Sequence, residues 1–235
     1  MTIMKIKHYN RREFIIETMF AGAIAGISGL SLISGCTDNK KEEKVSPIED
    51  LMREHGVLNR ILLVYDTLIT RLTHGEQFPL NTLTASAGII RTFIEDYHEK
   101  LEEDYLFPRF LKANQLAGLI QVLWIQHKAG RTLTEQIINI AKSKTLSTEE
   151  TKTMIKLLTD FNKMYRPHEA REDTILFPAL STIISSTEYD NLGEDFENKE
   201  HQLFGEGGFH SIVYKVAEIE KQLDIYDLSK FTPVV

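Results

Sequence analysis

Cysteine is almost absent from this chain. Cys36 is the single thiol among 235 residues, so no disulfide can close within a monomer and a cysteine-ligated metal site is argued against. A basic excess is missing as well: 27 Lys and Arg stand against 34 Asp and Glu. The formal charge of −7 therefore leaves no domain-wide basic surface that could release counterions from nucleic acid. No glycine-rich phosphate loop follows a strand, and no segment reads convincingly as a strand at all. What remains, 42% hydrophobic and 26% charged, is the composition of an ordinary globular protein, long enough for one bundle plus additions.

What the chain does contain is a phrase stated twice. His98-Glu99-Lys100-Leu101-Glu102 runs on to Leu106-Phe107-Pro108, and seventy residues later His168-Glu169-Ala170-Arg171-Glu172 runs on to Leu176-Phe177-Pro178. On a helix, positions i and i+4 share one face, so each copy presents an imidazole beside a carboxylate. A further histidine precedes each copy at nearly the same distance, His55 before the first and His127 before the second. Local context repeats too, Glu54-His55-Gly56 with Leu58 and Arg60 being answered by Gln126-His127-Lys128 with Arg131 and Leu133. Helix with one His, loop, helix with His-x-x-x-Glu, used twice, predicts a four-helix up-and-down bundle built from two hairpins about a pseudo-twofold axis.

Ser46-Pro47-Ile48-Glu49 reads as a helix start, with Ser as cap and Pro in the first turn, and that helix should end near Gly75. The second helix is expected from about Thr82 through the first phrase to about Lys112. The third runs from Gln115 to about Ala141, and the fourth follows the cap Ser147-Thr148-Glu149-Glu150 into the second phrase, with Pro167 interrupting it just before His168. Leu-Phe-Pro predicts a kink one turn beyond each His-Glu pair. The bundle spans 47–184, and 185–235 is a helical extension, with a fifth helix over Thr187 to Phe204 and a sixth over Phe209 to Leu223.

Burying four imidazoles and two carboxylates without a cation would carry a heavy desolvation cost. Four neutral nitrogens with two carboxylates suit a pair of borderline first-row ions, Glu102 and Glu172 bridging and His55, His98, His127 and His168 terminal. A single zinc needs only three or four of these ligands. Zincin chemistry is disfavoured because both copies read His-Glu-x-x-Glu. A ferritin-like site is disfavoured because Glu95, three before His98, is answered by Tyr165 in the second copy. Iron in a histidine-rich pair fits better.

Residues 1–36 read as an export signal. Asn10-Arg11-Arg12-Glu13-Phe14 resembles a twin-arginine motif, an apolar stretch follows, and Ile33-Ser34-Gly35-Cys36 resembles a lipobox. The expected location is outside the cytoplasm, periplasmic or on the cell surface, with a lipid anchor at Cys36 holding the protein to a membrane. The alternative is an uncleaved transmembrane anchor over 18–36. Residues 37–46 are then a solvated tether.

The two His-x-x-x-Glu…Leu-Phe-Pro phrases with their preceding histidines resemble the hemerythrin family in its HHE cation-binding branch, over roughly residues 47 to 180. The resemblance implies a four-helix bundle with a non-haem di-iron centre, two iron ions with an oxo or hydroxo bridge. It implies His55, His98, Glu102, His127, His168 and Glu172 as ligands, and a small diatomic partner, oxygen or nitric oxide, bound or sensed. Reduction of peroxide or nitric oxide, and iron storage or donation, are the alternatives. Oxygen-carrying members have His-x-x-x-His on the third helix and His-x-x-x-x-Asp on the fourth, whereas here Arg131 and Glu172 stand instead. The fifth histidine is missing from its usual place. Of the remaining histidines, His210 is expected to face solvent and His74 lies in a loop; His201, four residues after Glu197 on the fifth helix, is the expected fifth ligand.

Overall fold

The computed structural model describes residues 45–205 and 207–233. The export signal over 1–36 and nearly all of the tether over 37–46 lie outside the described residues. Those described form six helices and a closing 3-10 turn, with no strand among them. The helices are α1 (Pro47–His74), α2 (81–112), α3 (Ala117–Ala141), α4 (148–180), α5 (Ser186–Phe204) and α6 (Gly208–Gln222), followed by the 3-10 turn Leu228–Phe231.

Local chemistry fixes the ends. The Ser46 hydroxyl accepts from the Glu49 amide at 3.2 Å, and Gly75 closes α1 at φ 68°, a conformation that costs a residue with a β-carbon. Ser147 and Glu150 form a reciprocal capping box at the start of α4. Ser185 caps α5 through the Glu188 amide. The connections are short, so consecutive helices are antiparallel neighbours, and α1 packs on α4 and α2, α3 on α4 and α2, as an up-and-down bundle requires. Its core is a column of Leu51, Leu58, Ile61, Tyr65, Phe93, Phe110, Ile137, Phe161 and their neighbours, all buried.

Both long helices that carry the repeated phrase turn π-helical at the same place, and α2 is π-helical earlier as well, over Ile90–His98. Residues Glu102–Leu106 and Glu172–Leu176 are π-helical, the Phe107 amide reaching back five residues to the Glu102 carbonyl and the Phe177 amide to that of Glu172. Pro108 and Pro178 supply the reason: each lacks an N–H and would clash with the carbonyl four residues back, and a widened turn relieves that clash. The expected kink is thus a π-turn centred on the motif. Pro167, by contrast, does not interrupt α4: the helix runs α-helical from Thr148 to Arg171, the proline ring facing solvent where the carbonyl left without a donor can be hydrated.

The extension packs as a hairpin of its own. α5 lies on α1, and α6 lies on α1 and the start of α2. Phe204 and Phe209 meet Phe93 and Tyr97 at ring distances of 5.4 to 6.2 Å. Arg60 clasps Glu220 through two nitrogens, and Arg71 donates to the Leu223 carbonyl at 2.7 Å. Arg60 therefore serves the extension and does not answer Arg131. The residue that does is Asn59.

Candidate metal centre

Four helices bring six side chains to the middle of the bundle, every one almost fully buried: His55 from α1, His98 and Glu102 from α2, His127 from α3, His168 and Glu172 from α4. They fall into two overlapping groups, His55, His98 and Glu102, and Glu102, His127, His168 and Glu172, whose ligand atoms lie within 4.8 Å of one another. The carboxylates are divided between them. Glu172 turns Oε2 toward His55 Nε2 at 3.4 Å and Oε1 toward His168 Nε2 at 3.0 Å. Glu102 turns Oε2 toward His127 Nε2 at 3.4 Å and Oε1 toward His98 Nε2 at 3.9 Å. Each carboxylate thus offers one oxygen to each imidazole pair, as a bridge between two cations does.

The other ring nitrogens fix the tautomer. His55 Nδ1 donates to Asp173 at 2.7 Å, His98 Nδ1 to Glu54 at 2.8 Å, His127 Nδ1 to Glu103 at 3.1 Å and His168 Nδ1 to the side-chain amide oxygen of Gln126 at 2.9 Å. With all four protons committed to Nδ1, all four Nε2 lone pairs point inward. His55 and His98 Nε2 approach to 3.1 Å, which neutral lone pairs would not tolerate without a positive particle between them. About 3 Å is also the separation of two nitrogens bound about 2.0–2.1 Å from one first-row cation. Both Glu102 oxygens, both Glu172 oxygens and His127 Nε2 are buried without a hydrogen-bond partner. Such groups are costly unless a cation takes them up, so the residues present fit a metal pair.

Electrostatics agree. Burial pushes Glu102 well above the usual carboxylate range, and the neighbouring Glu172 pushes it further. Burial works against the His55 cation, but the Asp173 and Glu172 carboxylates outweigh it and hold the imidazole up to about 10. His98 is driven well below its ordinary value by burial and by the His55 charge. The facing Nε2 atoms of His55 and His98 thus have opposite preferences for a proton.

Two aromatic roofs close the site. Phe177 stacks on His55 at 5.3 Å and Phe107 on His127 at 5.6 Å. These phenylalanines are the Phe of Leu-Phe-Pro, each covering the first histidine of the opposite hairpin. The outer carboxylates Glu103 and Asp173 are likewise the residues next to Glu102 and Glu172. Sequence reasoning passed over all four, although both pairs recur within the repeated phrase and could have been found there.

The fifth histidine is a correction. His201 lies exposed on the outer face of α5, because Leu192, Phe196 and Glu200 take the inward positions, and it enters neither ligand group. His74 is 63% exposed beside Glu76, outside the centre as well. His210 is half-buried against Phe209 and does not face open solvent. Arg131, one turn after His127, points its guanidinium at Glu99 and Glu103, both at 2.8 Å, and supplies no ligand.

The hemerythrin HHE cation binding domain family matches residues 46–180. An uncharacterized protein of Mycobacterium bovis and another of Mycobacterium tuberculosis are each 45% identical over 233 residues, covering 94% of this chain and 91% of their own. No solved structure matches the chain. The match spans both histidine–glutamate phrases and all four helices of the bundle, and the chain belongs to the hemerythrin HHE cation-binding family.

Proposed function

We propose that the bundle holds a non-haem pair of iron ions and uses it to bind, and so to sense, a small oxidant, dioxygen first and nitric oxide second. The observation that supports this is the division of two buried carboxylates between two imidazole pairs. Four neutral nitrogens and two carboxylates form a borderline donor set suited to first-row ions. Six protein ligands do not fill two six-coordinate positions, so exchangeable places remain. When bound, an iron pair supplies two one-electron redox equivalents beside those places. The chain's own part is to hold the four rings by their Nδ1 protons and to exclude water with Phe107 and Phe177.

The test is anaerobic loading with ferrous iron, followed by air and then by removal of air. Two irons per chain and a spectrum that reverses on removing oxygen support binding. One-way oxidation with consumption of added peroxide assigns the centre to catalysis instead. Stoichiometric zinc without iron in protein from its native source defeats the iron reading.

We also propose that the chain is exported already folded and anchored through Cys36. Divalent iron binds more weakly than copper or zinc at a given nitrogen and oxygen site, so filling the centre before export protects it from the wrong metal. Replacing Arg11 and Arg12 by Lys should hold the protein in the cytoplasm, and Cys36→Ser should release it from membranes. Unchanged export of the double variant, with iron still in place, would overturn the argument.

A further inference from the structure

The pseudo-twofold axis relates more than ligands. Moving from the first hairpin to the second carries His55 onto His127 and His98 onto His168, and it carries the groups behind the imidazoles onto one another as well. Asp173 behind His55 corresponds to Glu103 behind His127, and Glu54 behind His98 to Gln126 behind His168. One layer further out, Asn59 donates to Glu169 at 2.5 Å where, on the other side, the Arg131 guanidinium pairs with Glu99 at 2.8 Å. The positions correspond on both sides. The charges do not.

Behind His55 and His98 stand three carboxylates, Glu54, Asp173 and Glu169, and the neutral amide of Asn59. In the corresponding places behind His127 and His168 stand two carboxylates, Glu99 and Glu103, the neutral amide of Gln126 and the Arg131 cation, while the buried Glu95 nearby is paired with Arg91 at 2.8 Å. Both departures from symmetry, Glu to Gln and Asn to Arg, act in the same direction. Arg131 is also held in place. It binds Glu99 and Glu103 together, while Tyr165 donates to the remaining Glu99 oxygen at 2.7 Å. Gly130 makes that possible, since a β-carbon there would collide with the Tyr165 hydroxyl. Lys100 adds a second cation on Glu103.

Resting on the metal-pair reading above, we propose that the two positions are inequivalent: the His55/His98 position takes the first divalent cation, the His127/His168 position takes the second more weakly, and Arg131 with Gln126 sets the difference. An imidazole whose Nδ1 proton is drawn toward a carboxylate is a better donor than one facing an amide oxygen, and a nearby guanidinium opposes a second cation directly. Outer partners of this kind change metal affinity by about 10–100-fold. A chain holding one metal is thus an accessible species, and in an unequally oxidised pair the higher charge resides at His55/His98.

The experiment is calorimetric titration of chelator-stripped full-length protein with cobalt(II), at fixed pH and against a competing chelator. Two cations per chain are expected, in two steps. His168→Ala should keep the tight step, and His98→Ala should keep only the weak one. Gln126→Glu and Arg131→Asn should each tighten the second step by about tenfold while leaving the first within about twofold. Glu54→Gln should weaken the first. Two like cations side by side repel one another and separate the steps in any case, so if neither Gln126→Glu nor Arg131→Asn moves the second step, repulsion alone explains the gap and the inference fails. Retention of the tight step by His98→Ala reverses the order and also overturns it. Fewer than two cobalt ions in the wild-type chain defeats the metal pair itself, a different failure. Gln126→Glu guards against a folding defect in Arg131→Asn, since Gln126 is only half-buried.

Discussion

The hairpin of α1 and α2 and the hairpin of α3 and α4 bring matching donors to the centre but meet their surroundings differently. The first is covered by α5 and α6, with Phe204 and Phe209 laid on Phe93 and Tyr97. Among the described residues the second carries no such cover, and Val122, Trp124 and Ile125 lie at the surface of α3. Their imidazoles differ in the same sense. Asp173 and Glu172 hold His55 up to about 10 against its burial, whereas burial takes His127 down to about 4 in spite of Glu103. A repeated sequence can fix ligand geometry in both halves while the unrepeated residues around it decide charge and access.

The comparison breaks most completely at a shared ligand. Glu172→Ala removes one oxygen from each imidazole pair and should reduce bound metal from the proposed two per chain to one or none, measured by elemental analysis after dialysis. Retention of two would mean that Glu172 does not bridge.

A pair of glycines sharpens it. Gly130→Ala in the second hairpin must displace Tyr165 and should destabilise by about 1–3 kcal/mol. Gly56→Ala in the first meets nothing within 4 Å and should stabilise α1 by about 0.5–1 kcal/mol. Denaturant unfolding of both variants checks the contrast. Equal effects would show that the second hairpin is no tighter than the first at Tyr165.

In protein stripped of metal, the two halves should also titrate apart. His55, raised from 6.5, contributes stability that is fully present below pH 6.5 and is lost as pH rises toward about 10. His127, lowered from 6.5, costs stability as pH falls from 6.5 toward about 4, because the unfolded chain takes up the proton first. The stripped protein should therefore lose stability on both sides of neutrality, with one imidazole resonance titrating near each limit. Two imidazoles titrating together near 6.5 would erase the difference between the halves.

The smallest effect is expected outside both hairpins. His201→Ala and His74→Ala should leave metal content and the oxidised-centre absorption unchanged, since both side chains are exposed and distant from the ligand groups. A loss of metal in either variant would restore a fifth histidine.

The six convergent side chains were readable because helical periodicity puts i and i+4 on one face, and because the phrase occurs twice at a nearly constant interval. The bundle followed from the same repeat. His201 was misplaced because Glu197 and His201 sharing a helix face says nothing about which face is buried. Leu192, Phe196 and Glu200 settle that by packing inward.

By itself, then, the sequence determined what is local: the helices and their caps, the His–Glu pairs, and the proline that widens each helix after them. Tertiary structure decided what is paired across the bundle. Asp173 reaches His55 over 118 residues, Glu103 reaches His127 from a neighbouring helix, and Arg131 turns to Glu99 and Glu103 instead of to a metal. Such partners are set by the rotation of one packed helix against another. No period in a single helix encodes that rotation, because it depends on the side chains of both surfaces at once.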